Sequence, residues 1–111
     1  MAQSKPFYYD NGLVAASPFT IDWNNGEVQK VTIDPAFPAP PFQIDFANPL
    51  TVGSIYVLEV ISNGIPVNFP ANVEWGAAGA PTLSGGGAAD LFNFYWTGSK
   101  YFGSYALNYI P

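Results

Sequence analysis

Along most of this chain apolar and polar residues alternate in short runs, the two-residue period of a strand with one buried face. Phe19-Thr20-Ile21-Asp22-Trp23 alternates, Asn24-Asn25-Gly26 follows as a turn that supplies positive φ cheaply, and Glu27–Ile33 reads as the return strand of a hairpin. In that strand the apolar phase slips between Val28 and Val31, which predicts a bulge. Phe42, Ile44 and Phe46 alternate with Gln43 and Asp45 as a half-buried strand. Ser54–Ser62 is the strongest run, with Tyr56, Leu58 and Val60 on one face and Ile55, Val57, Glu59 and Ile61 on the other. Two such apolar faces predict a strand central in a sandwich or lying under a neighbouring subunit. Asn63-Gly64 signals a hairpin into Ile65–Pro70, where Pro66 and Pro70 push the strand to an edge. Val73-Glu74-Trp75 is a short strand, and Gly76 to Gly87 is a Gly/Ala loop. A last hairpin joins Asp90–Trp96 to Tyr101–Tyr109 through Thr97-Gly98-Ser99-Lys100. Helical spacing is absent, because Pro or Gly interrupts nearly every window long enough to hold it. The expected fold is all-β, a single antiparallel β-sandwich of the jelly-roll kind.

Proline sets the organisation. Residues 34–42 carry four prolines (Pro35, Pro38, Pro40 and Pro41), each lacking the N–H a ladder needs, so a Pro-rich loop is expected there. Residues 1–16 read as an N-terminal arm, in which Phe7-Tyr8-Tyr9 and Leu13-Val14 pair with another chain or form the first strand. Residues 17–111 then make up the β-sandwich domain. The chain begins at Met1 without the apolar stretch of a secretory signal and ends at Ile110-Pro111, so it reads as a complete small gene product.

Composition narrows the chemistry. Without Cys or His there is no disulfide framework, thiolate nucleophile, His-based triad or imidazole metal centre. Three cations (Lys5, Lys30 and Lys100) against a net charge of −5 cannot track a phosphate backbone, so no nucleic acid is expected as partner. No run of 18 apolar residues exists to span a membrane. Only 10% of the 111 residues are charged, while 17% are aromatic. An average soluble domain has about 25% charged residues, and a domain of this size leaves roughly a third of its unfolded-chain surface wet. That surface is either dressed by Asn, Ser and Thr or buried between subunits. Charge depletion is the mark of obligate interfaces, so an oligomer is expected.

Candidate sites follow from the same residues. Asp22/Asp34 and Asp45/Glu59 are carboxylate pairs that neighbouring strands could hold at glycosidase spacing, but strand carboxylates in an acidic domain are usually solvated or cap turns. Asp22, Asp34 and Asp45 could offer oxygens to calcium, yet the spacing of a calcium loop is missing. Neither an enzyme nor a metal site is expected. Gly85-Gly86-Gly87 precedes no helix and no Lys-Ser/Thr, so it is a loop and not a phosphate cradle. Asp90 reads as a structural acceptor for loop N–H groups. Phe92, Phe94, Tyr95, Trp96, Tyr101, Phe102, Tyr105 and Tyr109 are read as core or intersubunit packing, with sugar stacking as the other use of such rings. Phe7, Tyr8, Tyr9, Phe37 and Phe42 lie in segments that do not easily join a core, which makes them candidate contacts with a sister subunit or another protein.

The order of segments also resembles a β-sandwich module of tailed-bacteriophage virion proteins, found in capsid decoration (cement) proteins and tail fibres. The likeness covers roughly residues 18–109 and rests on N-F-P-A-N-V-E-W-G, A-P-T-L-S, D-L-F-N-F-Y-W-T-G and Y-F-G-S-Y-A-L-N-Y. The matching positions are Pro70, Trp75, Gly76, Ala80, Pro81, Leu83, Asp90 and Gly103. The chain departs from the pattern at Asp34–Phe42, where that family has a brief turn. The resemblance implies a homotrimer with a structural or adhesive role, no catalysis and no cofactor. A decoration protein of this kind would be made in the bacterial cytoplasm and sit on the capsid surface of the virion, with the major capsid protein as partner. The alternative within the same resemblance is a tail-fibre tip that recognises host surface glycan.

Overall fold

The computed structural model describes residues 7–110. Among them lie nine strands and no α-helix: β1 (Tyr8–Val14), β2 (Phe19–Asp22), β3 (Val28–Ile33), β4 (Phe42–Ala47), β5 (Ile55–Ile61), β6 (Val67–Asn68), β7 (Val73–Trp75), β8 (Ala89–Trp96) and β9 (Tyr101–Tyr109). The first six residues of the expected arm lie outside the described residues. Its remainder contains β1, which pairs with β3 as the outermost strand of a sheet.

The all-β expectation holds, but the antiparallel jelly roll does not. A six-stranded sheet has the order β1-β3-β5-β8-β9-β7, and a three-stranded sheet has the order β2-β4-β6. From β1 to β6 the chain passes alternately between the two sheets, as a solenoid does. The pairs β1/β3, β3/β5, β2/β4 and β4/β6 are therefore all parallel. Antiparallel pairing appears only where β8 meets β5 and β9, and β7 closes the far edge parallel to β9.

Two of the expected hairpins are crossings between sheets. After β2, Trp23–Asn25 forms a 3-10 turn capped by Asp22, whose Oδ1 accepts from the Asn24 N–H at 2.9 Å. The turn drops the Trp23 side chain wholly into the core, so Ile21 and Trp23 face Val31 and Ile33 from the opposite sheet. The expected bulge in β3 is also absent. Gln29 occupies the inward position between the outward Val28 and Lys30 and is fully buried. Its Nε2 donates to the Asp22 carbonyl at 2.7 Å and the Gly26 carbonyl at 2.9 Å, which satisfies the group that broke the apolar pattern. At Asn63-Gly64 both residues take positive φ (55° and 81°), as a hairpin turn demands. Pro66 then offers no N–H to a returning ladder, and Val67–Asn68 pairs instead with Phe42–Gln43 of the small sheet. The β8–β9 hairpin stands as expected, closed by the Thr97 N–H on the Lys100 carbonyl at 2.9 Å.

The core lies between the sheets and is largely aromatic. Trp23 stacks on Tyr56 at 4.4 Å, and Phe46 of the small sheet meets Phe94 of the large one edge-on at 4.9 Å. Burial pushes the Tyr101 phenol up to about 12, which the Trp23 indole N–H lowers a little and the Tyr56 hydroxyl raises. The indole N–H itself is buried and closes no hydrogen bond of ordinary geometry. Three strands cannot cover six. The inner face of β8 and β9 is therefore roofed by Phe69, which follows β6 and meets Phe92 at 4.9 Å, and by Trp75 at the end of β7, which meets Tyr105 at 5.8 Å.

Candidate functional site

The two outward faces of the molecule differ in kind. The small sheet turns Thr20, Asp22, Gln43, Asp45 and Asn68 away from the core, which is an ordinary wetted face. The large sheet turns apolar rows outward. One row is Ile55, Tyr95 and Phe102; the next begins Tyr8, Val28 and Val57 and ends in Asn93 and Ser104; the last runs Leu13, Thr32, Ile61, Ala89 and Tyr109. Charge on this face is confined to one row, in which Lys30 stands in register between Asp10 and Glu59, and to a rim pair where Lys100 Nζ donates to Glu74 at 2.7 Å. Ile55 is 59% exposed and Phe102 50%, and Tyr95, also exposed, stacks on Phe102 at 6.2 Å. Exposed apolar rings gathered on one sheet face are uncommon on a lone domain, whose apolar residues are usually scattered singly over the surface.

A second feature sits at the open side of the stack, between β6 at the edge of the small sheet and β7 at the edge of the large one. It is a groove of about 410 Å³ lined by Gln43, Val67, Asn68, Phe69, Ala71, Trp75 and Ala80.

The contact residues singled out from sequence separate into two groups. Phe7 and Tyr8 are strongly exposed and Tyr9 less so, all at the β1 edge, where the Phe7 carbonyl accepts from the Val28 N–H at 3.0 Å. Phe42 is the correction: it is fully buried, and half-buried Phe37 packs edge-on against it at 5.1 Å. The Pro-rich loop folds its own rings inward and presents no Phe42 anchor to a partner. Sequence reading missed Leu13, Ile55, Tyr95 and Phe102 as one surface, because only the pairing of β1, β5, β8 and β9 sets them side by side.

The remaining singled-out positions are structural in their contacts. Asp90, fully buried, accepts from the Ser84 N–H at 2.6 Å, the Ser84 hydroxyl at 2.7 Å and the Asn108 N–H at 2.9 Å. Trp75 lies over Gly103, where an added Cβ would stand 2.8 Å from the indole ring. The Pro70 carbonyl accepts from Val73 and the Gly76 carbonyl from Gly79, while half-buried Pro81 and Leu83 continue the roof. The carboxylates do not converge. Asp45 and Glu59 point from opposite outer faces with the core between, and Asp22 and Asp34 each accept from a backbone N–H two residues on. No cluster of three acidic side chains close enough to hold a metal ion occurs among the described residues. No helix among them is long and apolar enough to cross a membrane. Compared with models of protein families, with curated proteins and with solved structures, the chain finds no match.

Proposed function

We propose that this chain is a structural component of a bacteriophage virion, a capsid decoration protein that assembles as a homotrimer and binds the outer surface of a shell of major capsid protein. The virion comes from the likeness of the segments around Trp75, Asp90 and Gly103 to virion modules. The observation that supports docking is the contrast between the polar face of the small sheet and the apolar face of the large one. Strands of six to nine residues in five of the six positions of the large sheet make a broad platform. At a strand spacing of about 4.8 Å and a rise of about 3.3 Å per residue, its face measures roughly 500–800 Å², near the ~800 Å² per partner of a stable interface. Burying it takes Tyr95, Phe102 and Ile55 out of water and leaves the polar face outward. The reading assigns the protein no catalysis: it would strengthen a shell by adding contacts that the assembled lattice has and its separated subunits lack.

Light scattering and cosedimentation test it. The expected mass is three times 11.9 kDa, with Ile55→Glu and Phe102→Glu lowering the mass or abolishing binding to DNA-free shells of the virus that carries the chain. A wild-type monomer that ignores such shells, or full shell binding by the doubly substituted protein, overturns the proposal.

A further inference from the structure

We infer that the groove between β6 and β7 is a binding site for a neutral saccharide. The groove lies off the apolar outer face and is independent of the decoration role. The groove, of about 410 Å³, lies beside β6, the last strand of the small sheet, and takes Gln43 and Asn68 from that sheet's outward side and Phe69, Ala71, Trp75 and Ala80 from the chain that follows. Its lining has three parts. Trp75 and Phe69, whose rings meet edge-on at 5.4 Å, supply aromatic surface held by the core beneath, since Trp75 also packs on Phe92 and Phe94. Gln43 and Asn68, opposite one another in the parallel β4/β6 pair, bring two carboxamides to the same rim. The Gln43 Nε2 is held by the Ile44 carbonyl at 2.9 Å and Asp45 Oδ1 at 3.0 Å, which fixes the amide and leaves its Oε1 to accept from a ligand. Ala71 and Ala80 keep the entrance low.

No charged side chain lines this groove, so it has nothing to select a phosphate, a carboxylate or a cation. An accepting Gln43 oxygen and the Asn68 carboxamide, set beside a rigid aromatic surface, match a molecule with hydroxyls around its edge and C–H groups on its face. A sugar ring is that molecule.

The test uses the whole chain and a panel of uncharged oligosaccharides: glucose, mannose, galactose and N-acetylglucosamine oligomers. The readout is the indole N–H signal of Trp75 in a proton–nitrogen correlation spectrum, with Trp23 and Trp96 as internal references. The expected result is a saturable shift of Trp75 by at least one oligomer, with affinity in the millimolar range or tighter. Gln43→Ala and Asn68→Ala each remove one hydrogen-bonding group from the rim and should weaken binding about three- to tenfold. Ala71→Trp, at an exposed loop position, should block the groove without touching the core. The inference is overturned if no oligomer shifts Trp75. It is equally overturned if binding survives unchanged in Ala71→Trp and in both rim variants.

Discussion

Replacing Asp90 by asparagine alters one heavy atom of a fully buried side chain and should cost more than most surface substitutions. The carboxylate joins two places far apart in sequence: Ser84, in the loop before β8, and Asn108, near the end of β9. Its Oδ1 takes the Ser84 hydroxyl and the Asn108 N–H, and its Oδ2 takes the Ser84 N–H at 2.6 Å. An asparagine can satisfy the hydroxyl in either orientation, because a hydroxyl rotates to donate or accept. It cannot satisfy both backbone N–H groups: whichever way the amide is turned, one N–H faces an NH₂. The loss is one charge-assisted hydrogen bond together with a buried donor left without an acceptor, about 2–4 kcal/mol. For a domain of this size that is a fall in Tm of roughly 8–20 °C. Asp90→Ala orphans three donors and should cost more still. Urea denaturation followed by tryptophan fluorescence measures both, and Ser84→Ala gives the smaller reference loss of about 1 kcal/mol. An Asp90→Asn protein within about 0.5 kcal/mol of wild type, inside the range of surface substitutions, would show that these donors find other partners and that the carboxylate does not anchor the loop.

Gly103→Ala places a methyl 2.8 Å from two atoms of the Trp75 ring and 3.2 Å from Val73, with β7 fixed on the same strand. Overpacking of this kind costs about 1–3 kcal/mol, read from the same urea curves, and an unchanged midpoint would refute the close contact. The Tyr101 phenol, raised from 10.0 to about 12, keeps its proton in the folded state after the unfolded chain has lost it. The corresponding stability is whole below pH 10 and is lost as pH rises toward 12, a fall of about 2–3 kcal/mol that Tyr101→Phe should abolish.

The strands were legible where alternation was clean and the partner lay nearby. In β5, Tyr56, Leu58 and Val60 point inward as the pattern requires, and β8 and β9 pair through the short turn at Thr97–Lys100. Asp90 showed itself as an acceptor because a lone carboxylate opening an aromatic strand has few other uses. What alternation does not carry is the identity of a neighbour. Period two fixes which side chains share a face, but a strand with a turn after it can fold back beside its predecessor or cross to another sheet. Asn24-Asn25-Gly26 and Asn63-Gly64 look like hairpin turns in isolation. The burial of Trp23 and the missing N–H of Pro66 decide against it, and both act through contacts distant in sequence. Gln29 misled for a related reason, since a polar residue inside the core is indistinguishable from a phase slip until its acceptors are placed. The outward phase of Tyr109 was hidden too. A register shift between Ala89 and Leu91, with Asn108 at φ 68°, turns the end of β9 over. Of the two candidate surfaces, the outer face needed the strand order and the groove needed the β4/β6 pairing, neither of which is a local property.

The order in which strands meet sets a timetable for a nascent chain. The segment made first, β1, reaches the rest of the large sheet only through β3 and then β5, and the antiparallel partner of β5 is β8. Until β8 leaves the ribosome, every ladder open to the chain is a parallel one that closes a long loop and gains its contacts late. The hairpin at the C-terminal end is thus the cheapest nucleus, and a truncated product lacking it would hold sticky, unpaired edges in solution. On that physical ground the β8–β9 hairpin would be the template to which β5, then β3, then β1 are added.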